Sequence, residues 1–258
     1  LNYLQQRVLL VFRVKVFNKT NIHFKHKRIF KMSFNAKAYV AQVRADNAEL
    51  YAASRENAKN YFTSNPSKEE LVDHFVGRMV NERMNMVEIS NRVASMPADT
   101  SPEELEMLSK QAFDEAVHFK LVKEVVEHIA GGEINVAEKI ESAAGAEVAE
   151  GNYAKGATLL AKYEAATDPV SLALYQLIAE GRAEQVWDEM ANCIEDTYVS
   201  SRYAKIARDE GFHSNIGAWK LEKMLEANPA LVARVEELAP QMRADLMHIS
   251  NENTALAA

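Results

Sequence analysis

Asp114-Glu115-Ala116-Val117-His118 and Asp209-Glu210-Gly211-Phe212-His213 spell the same pattern, Asp-Glu-x-x-His, twice in one chain. Residues three apart on a helix share a face, so each copy presents a carboxylate beside an imidazole. One copy arises by chance in many helical proteins. Two copies, each with a preceding Asp and each inside a long helical pattern, point to one shared site. A four-helix metal site needs a further carboxylate from each of two other helices. Glu82 lies 33 residues before Glu115, and Glu180 lies 30 before Glu210. Taken singly, either Glu reads as a solvated surface residue and either His as a hydrogen-bonded one; the repeat is what joins them.

Working outward, the helices that carry these residues are well punctuated. Phe34 to about Phe62 reads as one helix, with Tyr39, Val40, Val43, Leu50 and Tyr51 at helical spacing. Asn65-Pro66 breaks it, and Ser67 with Glu70 forms a capping box for a helix running to about Met96. Ser101-Pro102-Glu103-Glu104 starts the next, which Gly131-Gly132 stops. Residues 131–167, rich in Ala and broken by Gly145, Gly151 and Gly156, read as shorter helices in a long connection. Asp168-Pro169 opens the helix bearing Glu180, a turn near 195–200 leads to one from about Ser201 to Leu225, and Asn228-Pro229 starts a last helix to roughly Ser250. No strand series stands out. The fold class is all-α.

Register supports convergence, because residues equally far from the turn of an antiparallel hairpin lie at one level. Glu82 is 17 residues before a turn at Asp99 and Glu115 is 16 after it; Glu180 is 16 before a turn at Asp196 and Glu210 is 14 after. Both pairs agree within one helical turn. Glu88 and Glu184 fit less well, although Glu184 shares a face with Glu180 and stays open as a pocket residue or extra ligand. Two like charges 4 Å apart cost about 4 kcal/mol at an effective dielectric of 20. Four converging carboxylates therefore call for protons or cations, and two divalent ions would cancel them. Carboxylate with imidazole suits iron or manganese better than thiolate-seeking metals.

Composition narrows the class further. The chain has 258 residues, net charge −7, one cysteine and nine glycines, which favours a single domain with a substantial core. Residues 1–31 hold eight Lys or Arg and no acidic residue, leaving 22 basic against 37 acidic residues, a net of −15, from Met32 onward. This basic amino-terminal extension reads as outside the fold, either translated upstream sequence or a targeting arm, with Met32-Ser33-Phe34 resembling a start. Arg7 and Arg13 interrupt its apolar run well short of the roughly 20 residues a membrane span needs. The acidic body argues against a nucleic-acid surface. Cys193 alone makes no intrachain disulfide, which fits a reducing, cytoplasmic setting.

The pattern of a Glu, roughly thirty residues, then Asp-Glu-x-x-His, all repeated once, resembles the ferritin-like diiron carboxylate superfamily over about residues 67–226. The resemblance implies a ferritin-like four-helix bundle with additional flanking helices, spanning 32–258. It implies two iron ions, or iron with manganese, held by Glu82, Glu115, His118, Glu180, Glu210 and His213. It also implies that Asp114 accepts a hydrogen bond from His213 and Asp209 from His118, against the plainer reading of two surface aspartates. The expected activity is that of an oxidase or monooxygenase that uses O2 to oxidise a small organic substrate. An external electron donor is expected, since no flavin or nicotinamide motif is present, and a homodimer is compatible. The alternative is a ferritin-like iron-storage subunit; such subunits are typically shorter and often lack a complete second motif. Of the remaining candidates, His74 reads as a helix histidine rather than a ligand. Met79, Met84, Met86 and Met190 read as core, and Trp187, Tyr175 and Tyr203 as packing residues that could line a substrate cavity.

Overall fold

The computed structural model describes residues 34–149, 163 and 168–255. The chain divides into Leu1–Ser33 and Phe34–Ala258, and the basic extension of residues 1–31 lies outside the described residues. The described residues are helical, with no strand among them. In order they form α1 (Ala36–Ala45), α2 (Ala48–Thr63), α3 (Lys68–Ala94), α4 (Pro102–Ala130) and α5 (Val136–Ala149). Next come α6 (Pro169–Tyr175), a π-helical segment (Gln176–Glu180), α7 (Gly181–Cys193), α8 (Thr197–Ala227) and α9 (Val232–Ala255).

The helix starts are set by side chains that accept from the first free backbone N–H groups. Ser67 Oγ accepts from Glu70 N at 3.2 Å while Glu70 Oε2 accepts from Ser67 N at 2.6 Å, closing the capping box. Ser101 Oγ accepts from Glu104 N at 3.2 Å, and Asp168 Oδ1 accepts from Val170 N at 3.0 Å. Gly131 ends α4 at φ +80°, a left-handed turn that favours glycine.

Two expected boundaries are corrected. The single helix over 34–62 is broken between α1 and α2, because Asn47 leaves the helical path and turns its amide inward. There Asn47 Nδ2 donates to Tyr51 Oη at 3.3 Å, and Arg243 from α9 donates to Asn47 Oδ1 at 3.3 Å. Asn competes for backbone-like hydrogen bonds better than it sustains a helix. The second correction is that α8 begins at Thr197 rather than near Ser201, since Asp196 Oδ1 accepts from Tyr198 N at 2.8 Å and caps it. In the long connection, α5 is one of the expected shorter helices; residues 150–162 and 164–167 lie outside the described residues.

Helices α3 and α4 pack as one hairpin, α7 and α8 as another, and α4 packs on α8. Helix α2 lies on α7, and α9 on α2 and α6. Two apolar cores result. One gathers Val40, Leu50, Leu174, Leu177, Leu221 and Met242; the other gathers Phe75, Met79, Val122, Trp187, Met190 and Tyr203. Along α8 and along α6 to α7, the polar layer falls between them: Glu210 and His213 on one, Glu180 on the other.

The π-helical segment brings Glu180 into that layer. Its widened turn leaves the Leu177 carbonyl accepting from Tyr51 Oη at 3.2 Å and Ser214 Oγ at 3.1 Å. Helix α8 meets this stretch at Gly217, where a Cβ would stand 2.5 Å from both Ala173 O and Leu177 N. Gly217→Ala is therefore expected to destabilise the protein by about 1–3 kcal/mol, the usual cost of overpacking. In an uncrowded helix the same change would stabilise by about 1 kcal/mol, so the sign of the melting shift decides.

Candidate metal centre

The six candidate side chains come from four helical stretches, the two Glu/His pairs each within one turn, and the structure brings all six together. Glu82 projects from α3, Glu115 and His118 from α4, Glu180 from the end of the π-helical segment, and Glu210 and His213 from α8. All are buried, with exposures of 0–5 %. They form two interlocked groups of four, Glu82–Glu115–His118–Glu210 and Glu115–Glu180–Glu210–His213, in each of which one donor atom per residue lies within 4.8 Å of the others. Glu115 and Glu210 belong to both groups.

His118 Nδ1 stands 3.4 Å from Glu82 Oε2, 3.7 Å from Glu115 Oε2 and 3.6 Å from Glu210 Oε1. His213 Nδ1 stands 3.3 Å from Glu115 Oε1 and 3.1 Å from Glu210 Oε2. The opposite ring nitrogens turn outward to the two aspartates, and they cross between motifs. His118 Nε2 lies 3.2 Å from Asp209 Oδ2, and His213 Nε2 lies 3.3 Å from Asp114 Oδ2. With the aspartates accepting from Nε2–H, each Nδ1 faces the centre, and loss of its proton would present a lone pair to a metal there. Lys110 and Lys205 pair with Asp114 and Asp209 in turn and hold them from the surface side. The aspartates are structural partners of the imidazoles, not free surface residues.

Electrostatics shows how much charge is crowded here. Burial lifts Glu82 to about 7, with Glu115 and Glu210 adding to the rise against the pull of His118. Burial, then repulsion from Glu210 and Glu115, raises Glu180 well above the ordinary carboxylate range. Burial opposes protonation of the imidazoles, yet contact with Asp114 and Glu210 lifts His213 to about 10, and Asp209, Glu115 and Glu82 raise His118. Glu82 Oε2, both Glu115 oxygens and His118 Nδ1 have no hydrogen-bond partner. Buried polar atoms are ordinarily partnered, so unpartnered donor atoms aimed at one another are what a metal centre requires. The residues fit two divalent ions.

A pair of glutamines missing from the sequence reading completes the layer. Gln111 Nε2 donates to Glu180 Oε1 at 3.1 Å, and Gln176 Nε2 donates to Gln111 Oε1 at 2.8 Å. A signal for them existed: each stands four residues before a candidate Glu, Gln111 before Glu115 and Gln176 before Glu180. Gln111→Leu is expected to weaken the Glu180-containing metal position by about 10–100-fold while sparing the Glu82 position. Stepwise Mn(II) titration, read by EPR, would show two unequal affinities in the variant.

Other candidates fall elsewhere. Glu184 is in neither group of four; it sits half-buried under Gly211, where a Cβ would lie 2.8 Å from its Oε1. His74 stacks on Tyr61 with ring centroids 4.8 Å apart, and burial with nearby Arg78 lowers it to about 3. Met79 and Met190 are core residues, whereas Met84 and Met86 are only partly buried. Tyr175 is buried close to the carboxylates, which with burial raise its hydroxyl well above the ordinary value. Glu88 remains outside both groups.

No protein-family model matches the chain, and no curated protein or solved structure shows significant similarity to it. Among the described residues, no helix is long and apolar enough to cross a membrane.

Proposed function

We propose that this protein is a dinuclear non-heme iron oxidase or monooxygenase on a ferritin-like four-helix bundle, oxidising a small organic substrate with O2. The observation that carries the reading is the pair of interlocked Glu/His groups sharing Glu115 and Glu210. Shared by both groups, Glu115 and Glu210 would hold two ions as one coupled pair rather than as independent sites. Iron, with manganese compatible at one position, would supply the redox equivalents that O2 reduction needs and that no side chain of this site provides. An external reductase would return electrons in the cytoplasm.

The chain's own residues have distinct tasks. Asp114 and Asp209 fix the tautomer and direction of His213 and His118. Gln111 holds one oxygen of Glu180 and so limits the carboxylate's rotation. The apolar cores on either side keep bulk water from the layer, which strengthens every charge interaction in it.

The test is anaerobic Fe(II) loading, with metal counted by elemental analysis, followed by O2 exposure with and without a reductant. Two irons per chain and reductant-dependent O2 consumption by a small oligomer support the oxygenase reading. A large shell that accumulates ferric mineral would replace it with iron storage.

A further inference from the structure

One turn before Glu82 on α3 stands Arg78, partly buried beside the metal layer and facing into the Phe75–Trp187–Tyr203 core. Its guanidinium carbon lies 4.7 Å above the Trp187 ring, and Trp187 and Tyr203 meet at a centroid distance of 5.5 Å. Among the described residues, Arg78 has no ion-pair or hydrogen-bond partner. Glu82, the nearest candidate, turns instead to His118 Nδ1 at 3.4 Å. Two further donors in the same cluster are also unused. Trp187 is 4 % exposed and Tyr203 0 %, yet neither the indole N–H nor the phenol O–H has a partner.

A guanidinium laid against an aromatic core loses part of its hydration, and a stacked ring offsets that loss only in part. Leaving two buried donors beside it unpaired adds to that cost, and native interiors rarely leave such groups unused. The three groups share one need: an acceptor carrying negative charge. Arg is the side chain best shaped for it, since its planar fork meets a carboxylate with two parallel hydrogen bonds.

We propose that Arg78, with the Tyr203 hydroxyl and the Trp187 indole N–H, binds the carboxylate of a small organic acid next to the metal centre. This names the substrate class for the oxidation proposed above and rests on that reading. One guanidinium in a low-dielectric setting balances one negative charge. A doubly charged phosphate would exceed it, with Glu82 close by to repel the surplus. Phe75 and Met79 beside the cluster favour an apolar body on the acid. With the carboxylate anchored one helical turn from Glu82, about 6 Å along the axis, the neighbouring carbons of the acid would lie against the metal layer.

Calorimetric titration with benzoate and hexanoate, and with benzamide and hexanamide as neutral counterparts, tests the proposal. It is run on metal-free and Co(II)-loaded protein, with Co(II) stoichiometry measured separately. At least one acid is expected to bind both forms, with its amide at least about tenfold weaker. Arg78→Gln is expected to lose about 10–100-fold in acid affinity without changing Co(II) stoichiometry. Arg78→Lys and Tyr203→Phe, which keep the charge or the ring, are expected to fall between, and they carry the test if Arg78→Gln does not fold. Equal affinity for acid and amide, unaltered acid binding in the variants, or binding of neither acid would overturn the proposal. So would an acid that binds only the Co(II)-loaded form and ignores Arg78, since it would then be a metal ligand. Arg78-dependent acid binding in a protein that takes up no Co(II) would leave the anion site standing and reject the metal reading alone.

Discussion

Divalent metal is expected to raise the melting temperature of the metal-free protein by on the order of 10 °C, and the gain is expected to widen from pH 5 to pH 8. At 100 times the dissociation constant each ion contributes about 2.7 kcal/mol, and in a chain of this size each kcal/mol moves the midpoint by about 2–4 °C. The pH trend follows from the site's titrating groups. Glu82 rises from an ordinary 4.5 to about 7 in the folded state. Between those values the folded protein keeps a proton that the unfolded chain has lost, so stability falls by about 1.4 kcal/mol per pH unit. Glu180, also raised, acts in the same direction. His213, lifted from 6.5 to about 10, contributes stability that is complete below pH 6.5 and lost as pH climbs through 10. Asp114, Asp209 and Glu210 are lowered instead, and their contribution is lost only on the acid side, below the ordinary carboxylate range. The metal-free protein should therefore weaken between pH 5 and pH 8. Metal binding needs the same groups unprotonated and so tightens over that interval. Melting curves for both forms at several pH values check this; a metal-free midpoint that rises toward pH 8 would refute the charge-crowded centre.

The second large effect is expected from Glu115→Ala combined with Glu210→Ala, which should take metal content from about two ions per chain to essentially none. Both residues belong to both groups of four, so their removal strips two donors from each position. Glu82→Ala, by contrast, touches one group only and should leave one ion bound. Elemental analysis of dialysed protein distinguishes the patterns. Full occupancy in the double variant would reject these ligands. Independent losses from Glu82→Ala and Glu115→Ala, each costing a single ion, would reject the shared arrangement.

The sequence disclosed those elements whose cause is local. Ser67, Ser101 and Asp168 cap helices through hydrogen bonds spanning two or three residues, which their order alone reveals. The repeated motif placed six side chains at one level because helical rise and hairpin symmetry are regular. What stayed hidden depends on distant partners. Asn47 interrupts a good helical period where its amide oxygen accepts from Arg243, 196 residues on, while its amide nitrogen donates to Tyr51. The run Gln176-Leu177-Ile178-Ala179-Glu180 carries no mark of a π turn; what surrounds it comes from elsewhere in the chain, Gly217 packed against its backbone and Tyr51 and Ser214 donating to the Leu177 carbonyl. Nothing in the residues around Arg78 marks it out; its place over the Trp187 ring of α7 appears only in the fold.

The π turn has a further consequence for how such a centre can arise. Between bonded partners it holds one residue more than an α turn, so it acts as a phase shifter of about 100° in an otherwise continuous rod. Upstream, Val170 and Leu174 face the first core; downstream, Val186 and Met190 face the second. A chain one residue shorter at this point could run as a uniform α-helix, but its two halves would no longer address both cores while aiming Glu180 at the polar layer. Deleting one residue within 176–179 is then expected to turn Glu180 away from the polar layer with no ligand residue itself exchanged.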